Sequence, residues 1–224
     1  IVRLTLPVQG VDALQHNYTG TPWSGALPEA GLQITSLEFP TVGATLSGVL
    51  VRPAGNATVP GVILVNGLGR RTRDGGMVGS PLVQDGAKSL AATLARRGFA
   101  VLRFDSRGVG RSTGNARTVT LDDRAADCQA AVRALAKVKG IDKKRVAVIA
   151  SDVGGFGAAL APTKDVQWSA AVLIGPPGDP IDSLLFERVR ATPMPPDDAG
   201  EAIEQVQRLS ELLAGTDLWA AWGG

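Results

Sequence analysis

The sequence predicts an α/β fold in which a mostly parallel, twisted sheet carries helices on both faces. Three largely apolar stretches, at 62–66, 99–105 and 145–150, each lead into a glycine-rich loop, and a segment of helical character follows each loop. Strands that are buried on both faces consist of such apolar runs, and alternating strands and helices are typical of parallel sheets. Together the runs, the loops and the alternation indicate this fold class.

Two further strands are predicted upstream of these runs. Residues 33–39 (QITSLEF) and 45–53 (TLSGVLVRP) have strand composition, and the turn residues Pro40 to Gly43 separate them. This arrangement is typical of a β-hairpin, which we place at one side of the sheet. The preceding segment, 1–31, holds a strand-like stretch from Val2 to Val8 and then a loop, and we treat it as an N-terminal extension.

Helical spacing identifies the segments that connect the later strands. Leucines recur at this spacing through 81–98, where Gly98 ends the first helix. Thr120 and Asp123 match a capping box that opens a longer helix. Its apolar face repeats at steps of four and three and consists of Leu121, Ala125, Cys128, Val132 and Leu135. A short helix at 156–161 and a fourth strand at 170–175 complete the core.

The pattern changes after Gly175. Two helices are predicted from Ile181 to Arg190 and from Asp198 to Leu213, with a proline-rich link between them and no further strand. We therefore divide the chain into the N-terminal extension (1–31), an α/β core (32–180) and a cap-like helical segment (181–224). The final strands of the sheet are expected to be missing.

Composition and charge exclude several classes of function. The 224 residues include 23 basic and 21 acidic side chains, a formal net charge of +2, so we expect no nucleic-acid partner. The apolar runs are far shorter than the ~20 residues needed to span a bilayer, which predicts a soluble chain without a transmembrane segment. Cys128 is the single cysteine, so no disulfide can form within the chain.

Neither a metal nor a cofactor is predicted. No cluster of cysteine, histidine and carboxylate residues has metal-ligand spacing. Gly67-Leu68-Gly69 follows a strand as a dinucleotide loop would, but Thr72 stands where the third glycine is needed. The chain starts at Ile1 without a methionine, so we expect a processed or trimmed product, and export followed by loss of a signal peptide is one reading. The compartment is not assigned.

Polar residues in two loops after the apolar strands are expected to have structural roles. Asp105 is expected to organise the turn from Ser106 to Gly110 through side-chain hydrogen bonds. Arg70, Arg71 and Arg73 lie close together in the preceding loop, and we expect them to be solvated.

The most specific motif is RVAVIASDVGGFGAAL, residues 145–160. A strand, a tight turn and a helix in this order form a nucleophile elbow, which needs small residues two positions before and two positions after the nucleophile. Ala150 and Gly154 meet this condition around Asp152, whereas Ser151 as the centre would place Ile149 and Val153 there. Asp152 therefore occupies the elbow position, and it also has a structural reading as the N-terminal cap of the following helix.

Three motifs in order, VILVNGLGRRTRDGGMVG, RGFAVLRFDSRGVGRSTG and RVAVIASDVGGFGA, resemble those of the α/β-hydrolases. Within that superfamily they are most similar to serine esterases and peptidase-like hydrolases, over about residues 32–180. The resemblance implies an α/β-hydrolase-like core whose oxyanion hole is formed by the N–H groups of Leu68 and Val153. It also implies that Asn66, Gly67, Ala150 and Gly154 support the elbow.

The sequence departs from this family where catalysis depends on it. Asn66 and Ser151 stand at positions where the family has histidine, and Asp152 replaces the nucleophilic serine. The only histidine of the sequence is His16, outside the predicted core. One interpretation is a catalytically inactive protein that acts as a structural or binding subunit.

In that interpretation a protein partner or a second copy covers the exposed sheet edge, and Trp219 and Trp222 are candidate contacts. The alternative is a hydrolase whose catalytic acid and histidine are absent from this sequence. Such a hydrolase would be esterase-like, or it would use Asp152 as its nucleophile in the manner of dehalogenases and epoxide hydrolases.

Overall fold

A computed structural model of the protein describes residues 29–67, 69–79, 85–163 and 165–176. The described part contains six strands and three helices. In chain order they are β1 (Leu32–Thr41), β2 (Ala44–Pro53), β3 (Val59–Val65), α1 (Gly86–Arg96), β4 (Ala100–Phe104), α2 (Leu121–Lys137), β5 (Ile141–Ser151), α3 (Gly154–Leu160) and β6 (Ala170–Ile174). The predicted strand at 2–8 and the predicted helices at 181–190 and 198–213 lie outside the described residues.

The strands form one sheet in the order β1-β2-β4-β3-β5-β6. The pairs β1–β2 and β2–β4 are antiparallel, and the pairs β4–β3, β3–β5 and β5–β6 are parallel. The predicted hairpin is thus present at one side of the sheet, where Gly43 takes a φ of 70° in the turn. These pairings confirm the predicted fold class.

Side chains of β3 alternate between two apolar layers, one on each face of the sheet. Ile63 packs into the larger layer, in which α2 supplies Cys128 and Leu135. Val62 packs into the smaller layer, with Ala91 and Ala95 of α1. The sheet is therefore covered by helices on both faces, as the continuous apolar runs predict.

The long helix α2 begins at the predicted capping box. The Thr120 hydroxyl accepts from the backbone N–H of Asp123 at 3.1 Å, and the Asp123 carboxylate accepts from the N–H of Thr120 at 3.0 Å. Cys128 lies on the buried face of this helix, where burial raises the pKa of its thiol to about 12.

Strand β6 differs from the rest of the sheet. It pairs with β5, and all five of its residues are exposed, with exposed fractions of 50%, 43% and 53% for Val172, Leu173 and Ile174. An apolar strand was expected to be covered on both faces, but the described helices leave the side chains of β6 exposed, and β6 is also the outermost strand of the described sheet. The partner predicted for this edge stays a prediction.

Candidate active site

The turn between β5 and α3 holds Asp152 in a left-handed backbone conformation. Its φ is 52°, and no other non-glycine residue of the described segments has a positive φ. Its N–H donates to the carbonyl oxygen of Ile174 at 3.0 Å, and its own carbonyl oxygen accepts from the N–H of Gly155 at 2.9 Å. Aspartate tolerates this conformation better than most residues do, at a cost on the order of 1 kcal/mol. The turn therefore presents the Asp152 side chain at the carboxyl end of β5.

Small residues on both sides of Asp152 allow the strand and the helix to approach each other. Ala150 is fully buried in β5. A methyl group at Gly154 would overlap the backbone carbonyl oxygen of Asn66, just after β3. Helix α3 begins at Gly154 with Val153 at its N-cap position, so Asp152 lies one residue before the assigned cap, and its structural reading as a cap stays a prediction. The small neighbours therefore let the strand and the helix pass close to each other at this turn.

The Asp152 side chain packs against the loop that follows β3. A methyl group at Gly67 would lie 2.8 Å from Cβ of Asp152 and 3.0 Å from its Oδ2 atom, so Gly67 leaves the space that the carboxylate fills. The two predicted oxyanion-hole residues flank this contact in sequence. Val153 is fully buried, and Leu68 lies outside the described residues.

Asn66, at the position where the related hydrolases have histidine, ties two loops together. Its side-chain amide donates to the carbonyl oxygens of Thr72 at 3.0 Å and of Phe104 at 3.4 Å. The amide thus fixes the loop after β3 to the end of β4.

Asp105 organises the loop after β3 rather than the turn that follows it. Its carboxylate accepts from the Arg73 backbone N–H at 2.7 Å and from Arg73 Nε at 3.0 Å. The turn after Asp105 is held by Ser112 instead, whose hydroxyl donates to the Asp105 main-chain carbonyl oxygen at 2.8 Å. The predicted bonding pattern of Asp105 is therefore wrong, and so is the expectation that Arg73 is solvated.

Arg107 connects the second loop to α2. Its guanidinium binds the Asp127 carboxylate through Nε at 2.9 and 3.0 Å and through Nη2 at 2.8 Å, and its Nη1 binds Asp123 at 2.6 Å. Burial alone would lower the pKa of Arg107, but the bonds and charges of Asp127 and Asp123 raise it. Sequence reasoning missed this network, because residues 20 apart in different elements have no spacing that marks them as partners.

A second arginine of α2 reaches the elbow. Arg124 Nη1 donates to the carbonyl oxygen of Gly67 at 3.4 Å, and its charge interacts with those of Asp127, Asp152 and Asp123. Burial nevertheless holds the pKa of Arg124 below its usual value. Helix α2 packs closely against α3 at Arg124, where a methyl group at Gly157 would lie 2.8 Å from Cβ of Arg124 and 3.1 Å from its carbonyl carbon. No sequence motif marks this residue.

Two cavities lie at this end of the sheet. The larger has a volume of about 420 Å³ and is lined by Asp152, Ser151 and Arg71 together with the apolar side chains Leu64, Leu90, Ile149 and Ile174. The smaller, of about 170 Å³, shares Val65 and Asn66 with the first and is lined by Arg124, Ser106 and Asp127. The larger cavity therefore gives the elbow space for a ligand.

The described segments contain no group of three or more histidine, cysteine or carboxylate residues that could hold a metal ion. No helix among them is long and apolar enough to cross a membrane.

Comparison with known proteins adds a family match. The model of the family described as "Serine aminopeptidase, S33" matches residues 85–194, just under half of the chain. The structure of the hypothetical protein PA2218 from Pseudomonas aeruginosa superposes with a TM-score of 0.60 at 20% identity over 96% of this chain. The α/β-hydrolase GrgF from Penicillium sp. sh18 superposes with a TM-score of 0.55 at 21% identity over 81% of it. The chain has the α/β-hydrolase fold.

The esterase PF2001 from Pyrococcus furiosus has the same fold, with a TM-score of 0.54 at 20% identity over 78% of this chain. The chain spans 61% of the length of the PA2218 structure, 55% of GrgF and 62% of PF2001. No curated protein matches the sequence. At these identities the similarity supports the α/β-hydrolase fold alone. The activity of this chain has to be argued from its own residues.

Proposed function

We propose that the chain is the elbow-bearing part of an α/β-hydrolase-fold protein that binds a ligand at its elbow without catalysing acyl transfer. It would then act as a binding or structural subunit. The observation that supports this proposal is the contact between the Asp152 carboxylate and Gly67. In a working hydrolase of this fold, that loop faces the oxygen on which negative charge develops.

A carboxylate at this place opposes acyl transfer in two ways. It brings a fixed negative charge to the region where the oxyanion of the transition state would form, and like charges repel strongly in a site shielded from water. As an acyl-transfer nucleophile it would give a mixed anhydride, which is more reactive than the ester it came from. Ser151 cannot replace it, because Ile149 and Val153 would be the close neighbours of a turn centred there.

The direct test is labelling with a fluorophosphonate probe, read by intact mass, in parallel with hydrolysis of p-nitrophenyl acetate. We expect neither labelling nor turnover above background for the wild-type chain. Asp152→Ser restores a hydroxyl at the elbow and should remain inactive, because no histidine stands among the residues that the structure describes, and a serine without a general base is a weak nucleophile. Covalent labelling of Ser151 in the wild-type chain, or turnover that Asp152→Asn abolishes, would overturn the proposal.

A second candidate function is alkyl transfer to Asp152 itself. It is favoured by the retained left-handed φ of 52° together with the apolar cavity of about 420 Å³ that Asp152 lines, since strained backbone is often kept at functional sites. A carboxylate oxygen would attack an sp³ carbon, forming a C–O ester bond while the carbon–halogen bond breaks and the halide leaves with the electron pair. Hydrolysis of that ester would require an activated water.

Incubation with 1-bromohexane or 1,2-epoxyhexane followed by intact-mass analysis separates the two candidates. The first predicts no adduct. The second predicts one alkyl group on Asp152 that is absent from the Asp152→Asn variant. A stable adduct at Asp152 would therefore replace the binding proposal with a nucleophilic one.

A further inference from the structure

We infer that residues 198–213 of this chain, the second helix predicted after β6, dock on the face of β5 and β6 that lies on the same side of the sheet as α1. We call this surface the α1-side face, and its residues are Ala147, Ile149, Ala170, Val172 and Ile174. The inference goes beyond the proposed function and does not depend on whether the elbow lacks acyl-transfer activity.

Strand pairing places these five side chains on one side of the sheet. Ala147 and Ile149 of β5 pack against the smaller apolar layer, to which α1 belongs. Val172 of β6 lies directly beside Ile149 in the register of the two strands. Paired residues of neighbouring strands point to the same face, and so do residues two positions apart, which adds Ala170 and Ile174. The α1-side face is therefore a continuous apolar surface across β5 and β6.

The described helices leave this surface open. Helix α1 packs over β2 and β4, towards the β1 end of the sheet. Helices α2 and α3 contribute to the larger apolar layer, which lies on the opposite face. Val172 and Ile174 are accordingly 50% and 53% exposed, and Ile149 is half-buried. An apolar sheet face is normally buried against another element, so this one requires an occupant.

The sequence of residues 198–213 has the complementary pattern. Its apolar residues recur at steps of one, three and four, which places them on one side of a helix: Ala202, Ile203, Val206, Leu209 and Leu213. Residues 177–197 join this segment to the described sheet and span up to about 70 Å when fully extended, so the segment can reach the α1-side face. Docking would bury its apolar stripe together with Val172 and Ile174.

The segment and the rim of this face have opposite charges. Lys143 and Lys144 are exposed at the amino end of β5, a few residues before Ala147, and neither forms an ion pair with a described residue. The neighbouring carboxylate of Asp142 is paired with Arg145 at 2.6 Å. Residues 198–213 have four carboxylates and one arginine, a formal charge of −3. A second copy of the chain would bring the same lysines, whereas the tethered segment brings opposite charge at a high effective concentration.

Disulfide trapping tests the inference, because Cys128, the single native cysteine, is buried. Val172→Cys is combined in turn with Ile203→Cys, Val206→Cys and Leu209→Cys, and each variant is oxidised with copper phenanthroline. These three positions follow one another along the apolar stripe, and a disulfide forms only where two Cβ atoms lie about 4 Å apart. We expect at least one variant to form a disulfide within the chain, identified by peptide mass mapping.

Two controls assign the trapping to this face and to its charges. Leu173→Cys in place of Val172→Cys puts the thiol on the opposite face of the same strand, at a residue that is 43% exposed, and should react at least about threefold more slowly. Lys143→Glu together with Lys144→Glu should slow the trapping at Val172→Cys roughly threefold at low salt. Arg117→Glu, in an exposed position before α2, should leave its rate unchanged. Circular dichroism verifies that each variant is folded.

Disulfides that form only between two chains would show that a second copy occupies the face, and they would overturn the inference. So would the absence of any disulfide in all three variants, or equal rates for Val172→Cys and Leu173→Cys. None of these results bears on the proposed function, which is tested by probe labelling and ester turnover. Conversely, labelling of Ser151 would remove the proposed function and leave the docking of residues 198–213 untouched.

Discussion

The elbow after β5 and the loops after β3 and β4 meet at the same end of the sheet, yet they are held in different ways. At the elbow, Gly154 and Ala150 let two backbones touch, and the residue at the point of the turn contributes little to its shape. The loops depend instead on charged side chains, in the pairs Arg73–Asp105 and Arg107–Asp127. The course of the backbone at the elbow therefore depends on residues with no side chain or a small one. The conformation of the loops depends instead on ion pairs.

Substitutions in the two regions are therefore expected to have different effects. A substitution at Asp152 changes what the site can do while the backbone stays in place. A substitution in the charged pairs acts first on stability, because it leaves an unpaired charge in the protein interior.

The largest effect is expected from Arg107→Met. Its side chain is 7% exposed and its partner Asp127 is 11% exposed, so the variant leaves a nearly buried carboxylate without its cation. We expect a loss of about 3 to 5 kcal/mol in the free energy of unfolding, measured by urea denaturation. Arg111→Gln, which removes an ion pair to Glu38 whose side chains are 77% and 56% exposed, is the matched control and should change little.

A double variant sharpens this result. If the loss comes from the stranded charge, Arg107→Met combined with Asp127→Met should be more stable than Arg107→Met alone, because replacing both charges avoids the unpaired one. A double variant at least as unstable as the single one would assign the loss to packing instead.

Gly154→Ala probes the close backbone approach at the elbow. The added methyl group would meet the carbonyl oxygen of Asn66, a backbone atom that cannot swing aside. We expect a loss of about 1 to 3 kcal/mol in the free energy of unfolding, measured by urea denaturation. Gly86→Ala at the start of α1, where an added methyl group meets nothing within 4 Å, should be neutral or slightly stabilising. Equal effects at both positions would show that the elbow is not tightly packed.

A smaller effect is expected at Asp152 itself. Asparagine tolerates a left-handed backbone about as well as aspartate, so Asp152→Asn should change the free energy of unfolding by less than about 0.5 kcal/mol. Asp152→Ala should lower the free energy of unfolding by about 1 kcal/mol, because alanine tolerates a left-handed φ poorly. A loss for Asp152→Asn larger than that for Gly154→Ala would contradict the view that the neighbours set the shape of the turn.

The smallest change is expected at Cys128, whose thiol has a pKa raised by burial to about 12. At pH 8 the buried thiol stays almost entirely protonated, so iodoacetamide should not label the folded chain within hours. Because the unfolded thiol ionises near 9.0, raising the pH from 9 towards 12 favours the unfolded chain and reduces stability. Rapid labelling without denaturant would show that α2 opens readily.

Much of this molecule is predictable because its signals are local. The apolar runs of β3, β4 and β5, the hairpin turn at Gly43 and the capping box of Thr120 and Asp123 involve residues adjacent in sequence or three apart. The elbow position follows from the sizes of Ala150 and Gly154 in the same way. Backbone geometry ties each of these patterns to one structure.

The contacts that the sequence did not predict share a physical cause. Asp105 binds Arg73, 32 residues away, and Arg124 reaches Gly67 across 57 residues. A long charged side chain can reach many partners, and its choice depends on how loops fold over the sheet. The exposure of β6 was missed for a related reason, since an apolar sequence does not report whether a helix packs against the faces of a strand.

The left-handed φ at position 152 also bears on how such an elbow changes during evolution. The serine codon AGC becomes the aspartate codon GAC in two single-base steps, through glycine (GGC) or asparagine (AAC). Both intermediates accept a left-handed backbone, so neither step would unfold the turn. An elbow shaped by its neighbours can thus pass between a hydroxyl and a carboxylate along a mutational path on which every intermediate folds.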